Sequence, residues 1–176
     1  MATNLNAGEA VLELYRDGLR NAHAVEKQAL SIMTPQVERL EHYPEVAERL
    51  RAHIDETNEQ VSRLDEIMAG FDTSRSVAKD LGLSMSGGMA AMSHSMAGDE
   101  ILKNSYANYA FEHFEIAAYS SLIVLGEDYG FDGVDLLRLS LREERAMAEW
   151  IEQMLPTIVR RYAGLYAEHG ASTAKA

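Results

Sequence analysis

The spacing of apolar residues along the chain predicts four long α-helices. Apolar side chains recur in steps of three and four positions, the repeat that places them on one face of a helix. The predicted helices cover residues 8–40, residues 44–68, a stretch from Asp99 to the turn at 128–133, and residues 136–158. No segment alternates apolar and polar residues with the period of two that a half-buried strand shows. The pattern therefore predicts an all-α protein.

Prolines, glycines and one aspartate mark the expected helix boundaries. Pro44 suits the first position of the second helix, and Gly70 suits a position just past its end. Asp99 is a favourable N-cap for the third helix. Pro35 and Pro156 each remove a backbone hydrogen-bond donor, so we expect them to kink the first and fourth helices rather than end them.

The connection between the second and third helices, residues 71–98, is much longer than the other two turns. Such a length is expected when those helices run parallel, as in a four-helix bundle with one crossover. Four methionines within it lie on one helical stripe and predict a short packed crossover helix. They are Met85, Met89, Met92 and Met96. A soft-metal site formed by these methionines with His94 is the alternative interpretation.

Length, charge and composition narrow the class of protein. The chain has 176 residues, of which 47% are hydrophobic, enough for one bundle domain over residues 1–170 followed by a frayed tail at 171–176. A net charge of −12 argues against binding duplex DNA or anionic lipid. The absence of cysteine excludes disulfides, zinc ribbons, iron–sulfur clusters and thiol catalysis. With no secretory signal and no apolar run of about 18 residues, we expect a cytoplasmic protein without membrane or nucleic-acid partners.

Polar residues that could bind a metal lie on or beside the apolar faces of all four predicted helices. They are Glu26, His53, Glu56, Gln60, Glu112, Glu115, Glu143 and Glu144. Glu26 and Glu115 lie at the centres of the apolar faces of their helices. Glu143 and Glu144 lie on either side of the apolar face of the fourth helix. Glu59, by contrast, is expected to point toward solvent. Because ionised carboxylates are rarely buried without partners, so many of them facing one core require an explanation.

The acidic residues also fall at one depth in the predicted bundle. In an antiparallel pair of helices, residues equally far from the connecting turn face each other. Glu26 and Glu56 are nearly equally far from the break between the first two helices. Glu115 and Glu144 are equally far from the turn before the fourth. Each lies about 20 Å from its turn at about 1.5 Å per residue, so both hairpins place carboxylates at the same level.

Two divalent cations would satisfy this arrangement. Five carboxylates at one level repel one another and raise their pKa values, whereas two divalent ions supply four positive charges. Oxygen-rich ligation with little imidazole and no thiolate favours iron or manganese. The predicted ligands are Glu26, Glu56, Glu112, Glu115 and either Glu144 or Glu143. His53 and Gln60 are either further ligands or hydrogen-bond partners that orient the ligands.

The segments that carry these residues resemble the YciF-like subgroup of the ferritin-like superfamily. They are AVEKQAL at 24–30, HIDETNEQVSRLDEI at 53–67, FEHFEIAAYSSLI at 111–123 and LREE at 141–144. The resemblance, from residue 12 to 155, implies a four-helix bundle with a crossover helix, a homodimer and a dinuclear iron or manganese centre in a bacterial stress-response protein. The Glu-x-x-His motif that is typical of ferritin-like di-iron proteins is absent, since His53 precedes Glu56 instead.

Two functions follow as hypotheses. In the first, the two metal ions make the protein an oxidoreductase that consumes peroxide, or oxidises Fe²⁺ with dioxygen. In the second, the same bundle is a non-catalytic interaction module in which the metal is structural. Tyr119, one turn after Glu115, is either a hydrogen-bonded core residue or a redox partner of the metal ions. Metal-dependent turnover of peroxide would separate the two functions.

Overall fold

Four helices account for nearly all of the chain that the structure describes. The structure is a computed structural model in which residues 7–71 and 99–170 are described. Its helices are α1 (Ala7–Val37), α2 (Pro44–Gly70), α3 (Glu100–Tyr129) and α4 (Val134–His169). No strand occurs within these two ranges, and the prediction of an all-α fold is confirmed. The predicted crossover helix, its methionines with His94, and the predicted tail lie outside the described residues.

A short turn with proline on either side separates α1 from α2. Pro35 lies in the last turn of α1, which ends at Val37, and Pro44 is the first residue of α2. Proline fits there because the first amide of a helix has no acceptor within the helix. Tyr43, just before it, is completely buried and anchors the turn to the core.

Helix α4 is longer than the sequence pattern predicts. It passes through Pro156 and continues to His169, well beyond the predicted end at Ile158. The added turns carry Tyr162 and Leu165, which are partly buried and pack against the buried apolar residues at that end of the bundle. Because these two residues extend the apolar face, the last turns of α4 are stabilised by packing.

Contacts at the two ends of the bundle fix the directions of the helices. At one end, Arg39 after α1 pairs with Glu100 at the start of α3, with a nitrogen–oxygen distance of 2.7 Å. At the other end, the Tyr15 hydroxyl of α1 donates a 3.0 Å hydrogen bond to the Asp132 carbonyl, between α3 and α4. Helix α3 is therefore antiparallel to α1 and parallel to α2. The parallel pair explains why a long connection between α2 and α3 is needed.

The turn between α3 and α4 depends on two glycines. Gly130 and Gly133 have φ angles of 68° and 96°, in the left-handed region that favours glycine. At Gly133 a Cβ atom would also lie 2.6–2.9 Å from the side chain of Ile67 on α2. The turn is thus both sharp and closely packed against α2.

Two clusters of buried apolar side chains lie toward opposite ends of the bundle, with polar residues between them. The upper cluster, near the α1–α2 turn, includes Met33, Leu50, Phe111, Met147 and Ile151. The lower cluster, near the α3–α4 turn, includes Tyr15, Leu19, Leu64, Leu122 and Leu137. The polar layer between them consists of Glu26, His53, Gln60, Glu112, Glu115 and Glu144. The candidate site is thus enclosed in the centre of the bundle.

Candidate metal centre

All four helices contribute to the polar layer. Helix α1 supplies Glu26, α2 supplies His53 and Gln60, α3 supplies Glu112 and Glu115, and α4 supplies Glu144. None of these six residues is more than 2% exposed. Glu112 and Glu115 are three residues apart on α3, and His53 and Gln60 are seven apart on α2. Each spacing places the two side chains on the same helical face. The layer therefore concentrates four carboxylates, one imidazole and one amide in the interior.

One group of potential metal ligands within the layer joins α2, α3 and α4. The Nε2 atom of His53 lies 3.2 Å from Glu112 Oε2 and 3.7 Å from Glu144 Oε2. One potential ligand atom from each of these three residues lies within 4.8 Å of the other two. Such a cluster of one imidazole and two carboxylates could hold a divalent ion.

The other side of the layer brings together Glu26 and Glu115. The hydroxyl of Tyr119, at the top of the lower cluster, donates a hydrogen bond to Glu26 Oε1. Glu115 interacts with both Glu26 and Glu144, so the carboxylates form a continuous group rather than separate pairs. Tyr119 is buried and takes the role of a hydrogen-bonded core residue.

Several buried oxygens in the layer have no well-aligned hydrogen-bond donor among the described residues, although Glu112 Oε2 lies 3.2 Å from His53 Nε2. They are Glu26 Oε2, Gln60 Oε1, Glu112 Oε2, Glu115 Oε1 and Glu144 Oε2. More than nine in ten buried polar groups in proteins are hydrogen-bonded, so five such oxygens in one layer are unusual. A proton, a bound water molecule or a cation would satisfy a group of acceptors that faces other acceptors.

The protein environment strongly perturbs the titration of the layer. Burial raises the pKa of Glu26 to about 7, although the hydrogen bond from Tyr119 lowers it. Burial, reinforced by neighbouring carboxylates, also raises the pKa values of Glu115 and Glu144 well above their usual range. Burial would lower the pKa of His53, but the Glu112 charge and hydrogen bonds with carboxylates outweigh it and raise the value to about 9. Without a metal, the layer therefore retains protons.

Two of the predicted ligands lie at the edge of the layer in ion pairs with arginine. Glu56, whose side chain is 33% exposed, contacts Arg49 Nη1 at 3.0 Å and His53 Nδ1 at 2.8 Å. Burial would raise the pKa of Glu56, but His53 and Arg49 together lower it. Glu143, with 19% of its side chain exposed, accepts two hydrogen bonds from Arg63 at 2.6 and 2.9 Å.

The structure thus brings six of the eight predicted residues into one layer and leaves Glu56 and Glu143 beside it. Between the adjacent glutamates that straddle the α4 stripe, Glu144 faces the layer and Glu143 faces Arg63. Glu59 is exposed, as predicted. Sequence reasoning missed Arg49 and Arg63, although both lie at helical spacings from the polar residues of α2. A search for basic residues near the predicted carboxylates could have found them.

A comparison with known families identifies the chain. Residues 10–164 match a family described as a domain of unknown function, DUF892. The chain belongs to the DUF892 family. This match covers most of the chain, and the predicted resemblance to the YciF-like group is confirmed.

Solved structures of other proteins share the fold of this DUF892 chain. A protein of Xanthomonas campestris pv. campestris has 28% sequence identity and a TM-score of 0.73, over 88% of this chain and 96% of that one. YcfI of Rhodopseudomonas palustris has 25% identity and a TM-score of 0.65, over 86% of this chain and 97% of YcfI. The Escherichia coli stress protein YciF has 21% identity and a TM-score of 0.69, over 82% of this chain and 93% of YciF. At that identity, the likeness to YciF establishes the fold alone.

Within residues 7–71 and 99–170, no helix is long and apolar enough to cross a bilayer.

Proposed function

We propose that this DUF892 protein binds two divalent iron or manganese ions in its polar layer. The observation that carries the proposal is the group of five buried side-chain oxygens that have no well-aligned hydrogen-bond donor among the described residues. Burying four carboxylates in one layer is costly unless cations or protons neutralise them. Two divalent ions supply four positive charges, which match the four carboxylates of the layer.

The donor set suits iron or manganese. Four carboxylates, one imidazole and one amide form an oxygen-rich set without thiolate, which favours these metals over copper or zinc. His53, Glu112 and Glu144 would hold one ion, since their ligand atoms lie within 4.8 Å of one another. Glu26, Glu115 and the amide oxygen of Gln60 would supply the remaining donors. Two ions shared by four carboxylates also account for the continuous contacts between the acidic side chains.

For the reaction, we propose the consumption of peroxide or the oxidation of Fe²⁺ by dioxygen. Bound iron or manganese would supply the change of oxidation state that both reactions require. The chain itself holds the ligands on four helices and limits water between the upper and lower clusters. Tyr119 holds one oxygen of Glu26 and leaves the other free for a cation.

A structural metal site is the second candidate function. The layer joins all four helices, so ions bound there would cross-link the bundle and stabilise it against unfolding. YcfI of Rhodopseudomonas palustris, which shares the fold, is described as a candidate structural protein. In this case the metal would raise the melting temperature without any turnover.

Elemental analysis and anaerobic titration test the proposal. Protein loaded with Fe²⁺ or Mn²⁺ under reducing conditions should contain two ions per chain, and Glu59→Gln, on the exposed face of α2, should contain the same number. No uptake of either metal would exclude the dinuclear centre. Metal-dependent loss of peroxide, or oxygen-dependent oxidation of Fe²⁺, would support catalysis. A raised melting temperature without turnover would support the structural role.

The proposal also includes a cytoplasmic homodimer in a bacterial stress response. YciF of Escherichia coli, which shares the fold, is called a stress protein. For the dimer, the supporting feature is an apolar groove between α1 and α3. It is bordered by Leu14, Phe114 and Val124, each more than half exposed. Sedimentation velocity of the wild type and of Phe114→Asp tests the dimer, because a charge in the contact should shift the sedimentation coefficient to that of a monomer.

A further inference from the structure

Two arginine–glutamate pairs flank the polar layer, and each touches one of its two residues without a carboxylate, His53 or Gln60. Arg49 pairs with Glu56, which contacts His53. Arg63 pairs with Glu143, which contacts Gln60. The proposed metal chemistry does not use these pairs as ligands. Arg49, Glu56 and Arg63 recur every seven residues and so lie on one stripe of α2, and this repeated arrangement needs a physical reason.

The first pair controls the orientation of the His53 ring. Glu56 Oε2 lies 2.8 Å from His53 Nδ1, and the same oxygen accepts a 3.0 Å hydrogen bond from Arg49 Nη1. A carboxylate at Nδ1 favours a proton on that nitrogen and leaves the lone pair of a neutral ring on Nε2. The Nε2 atom then faces Glu112 at 3.2 Å, inside the layer.

The second pair controls the orientation of the Gln60 amide. Gln60 Nε2 donates hydrogen bonds to Glu144 Oε1 and, at 3.1 Å, to Glu143 Oε2. The Gln60 oxygen, on the other side of the amide, is buried and has no donor within the described part of the chain. Arg63 holds Glu143 with two hydrogen bonds and also contacts Ser140 Oγ at 3.1 Å. The amide therefore cannot flip without losing both contacts of its nitrogen.

We propose that Arg49–Glu56 and Arg63–Glu143 are positioning pairs that direct His53 Nε2 and Gln60 Oε1 toward the metal ions. Each arginine also neutralises a glutamate that would otherwise compete as a further anionic ligand. The inference rests on the proposed dinuclear centre. It differs from direct ligation by Glu56 and Glu143, which the spacing of the sequence also allows.

Anaerobic titration with Co²⁺ tests the first pair, because the visible absorption of Co²⁺ reports the number and type of its ligands. Removal of a carboxylate that orients a metal-binding histidine typically weakens metal binding about 10–100-fold. We expect such a loss for Glu56→Ala, with two ions still bound at saturation. Glu56→Gln should recover most of the affinity, because its amide oxygen still accepts a hydrogen bond from Nδ1. If Glu56 were a ligand, Glu56→Gln would lose as much affinity as Glu56→Ala, and the proposal would be overturned.

A double-mutant cycle shows whether Glu56 acts through His53. In a His53→Ala background, adding Glu56→Ala should change Co²⁺ affinity less than about twofold, since the ring that it orients is absent. An additional loss of tenfold or more would contradict the positioning role. Circular dichroism and thermal unfolding of each metal-free variant establish that the bundle has formed. Glu59→Gln is the matched control, as an exposed glutamate on the same helix.

The same design tests the second pair. Glu143→Ala should weaken Co²⁺ binding roughly tenfold, with little effect in a Gln60→Ala background, and Glu143→Gln should restore affinity. Unchanged affinity in Glu56→Ala and Glu143→Ala would refute the inference while leaving the dinuclear centre intact. A wild-type chain that binds no Co²⁺, Fe²⁺ or Mn²⁺ would refute the centre itself, and the positioning role with it.

Discussion

The two helical hairpins contribute opposite kinds of groups to the polar layer. The α3–α4 hairpin supplies three carboxylates, Glu112, Glu115 and Glu144, whereas the α1–α2 hairpin supplies one carboxylate, one imidazole and one amide. The arginines that pair with the two edge glutamates both lie on α2. One hairpin is therefore the anionic half of the site, and the other limits and balances its charge.

This asymmetry shows how a buried acidic site can be kept close to neutrality. If α2 carried two more inward carboxylates in place of His53 and Gln60, the layer would hold six negative charges. Two divalent ions would then leave two of those charges uncompensated in the interior. With neutral donors on α2, two ions can neutralise the layer. The contrast between the hairpins predicts which substitutions alter metal binding and which alter only stability.

The largest effect is expected from Glu115→Ala, which removes a central carboxylate from the anionic half. The variant should bind one metal ion or none, because Glu115 interacts with carboxylates on both sides of it. Its metal-free form should melt no lower than the metal-free wild type, since one source of repulsion is gone. Elemental analysis and differential scanning calorimetry measure the two quantities. Loss of metal in Glu59→Ala, with retention in Glu115→Ala, would contradict this assignment of the helix faces.

The next largest effect concerns His53, on the balancing half. As a direct ligand through Nε2, it should be more important than a group that only orients ligands, so His53→Gln should weaken binding more than about 100-fold. Affinity in the wild type should also fall as the pH is lowered, because a metal must displace the proton from the ring. Isothermal titration with Mn²⁺ at several pH values measures both effects. A loss of about 100-fold or less would instead make His53 a residue that orients the ligands, or one outside the site.

A smaller effect is expected in the pH dependence of the metal-free protein. Folding raises the pKa of Glu26 from 4.5 to about 7 and that of His53 from 6.5 to about 9. A group whose pKa is higher in the folded state stabilises that state at pH values below the pKa of the unfolded state. This contribution is lost as the pH rises through the pKa of the folded state. The free energy of unfolding should therefore fall as the pH rises from about 5 to 9, by on the order of a few kcal/mol in total.

Denaturant unfolding of metal-free protein across this pH range tests that expectation. Saturating Mn²⁺ is the control, since the bound ions require deprotonated ligands and should reverse the trend. Stability of the metal-free protein that rises steadily toward pH 9 would mean that the layer does not retain protons.

The fold and the depth of the layer were predictable because helical periodicity and antiparallel pairing act over many residues. The sequence did not show which of the adjacent residues Glu143 and Glu144 faces the layer. Both flank the apolar face of α4, about 100° from each other around the helix. Arg63 decides between them by binding Glu143, which is a tertiary contact between α2 and α4. Similarly, Arg49 holds Glu56 at the edge of the layer. Which of the eight residues bind a metal stays a prediction.

The smallest effect is expected for Tyr119→Phe, which removes the hydrogen bond that the Tyr119 hydroxyl donates to Glu26 Oε1. In the metal-free protein, Glu26 Oε1 would lose its donor, and the cost of an unpaired buried acceptor is about 1–3 kcal/mol. Since the pKa of Glu26 is already raised, uptake of a proton would offset part of this cost, so we expect a loss of about 1 kcal/mol near pH 7. Metal stoichiometry should remain two, because the hydroxyl holds Glu26 without supplying a ligand. Denaturant unfolding and Mn²⁺ titration of the variant measure these effects. A variant with unchanged stability and both ions, but without peroxide turnover, would instead make Tyr119 an electron donor to the metal ions.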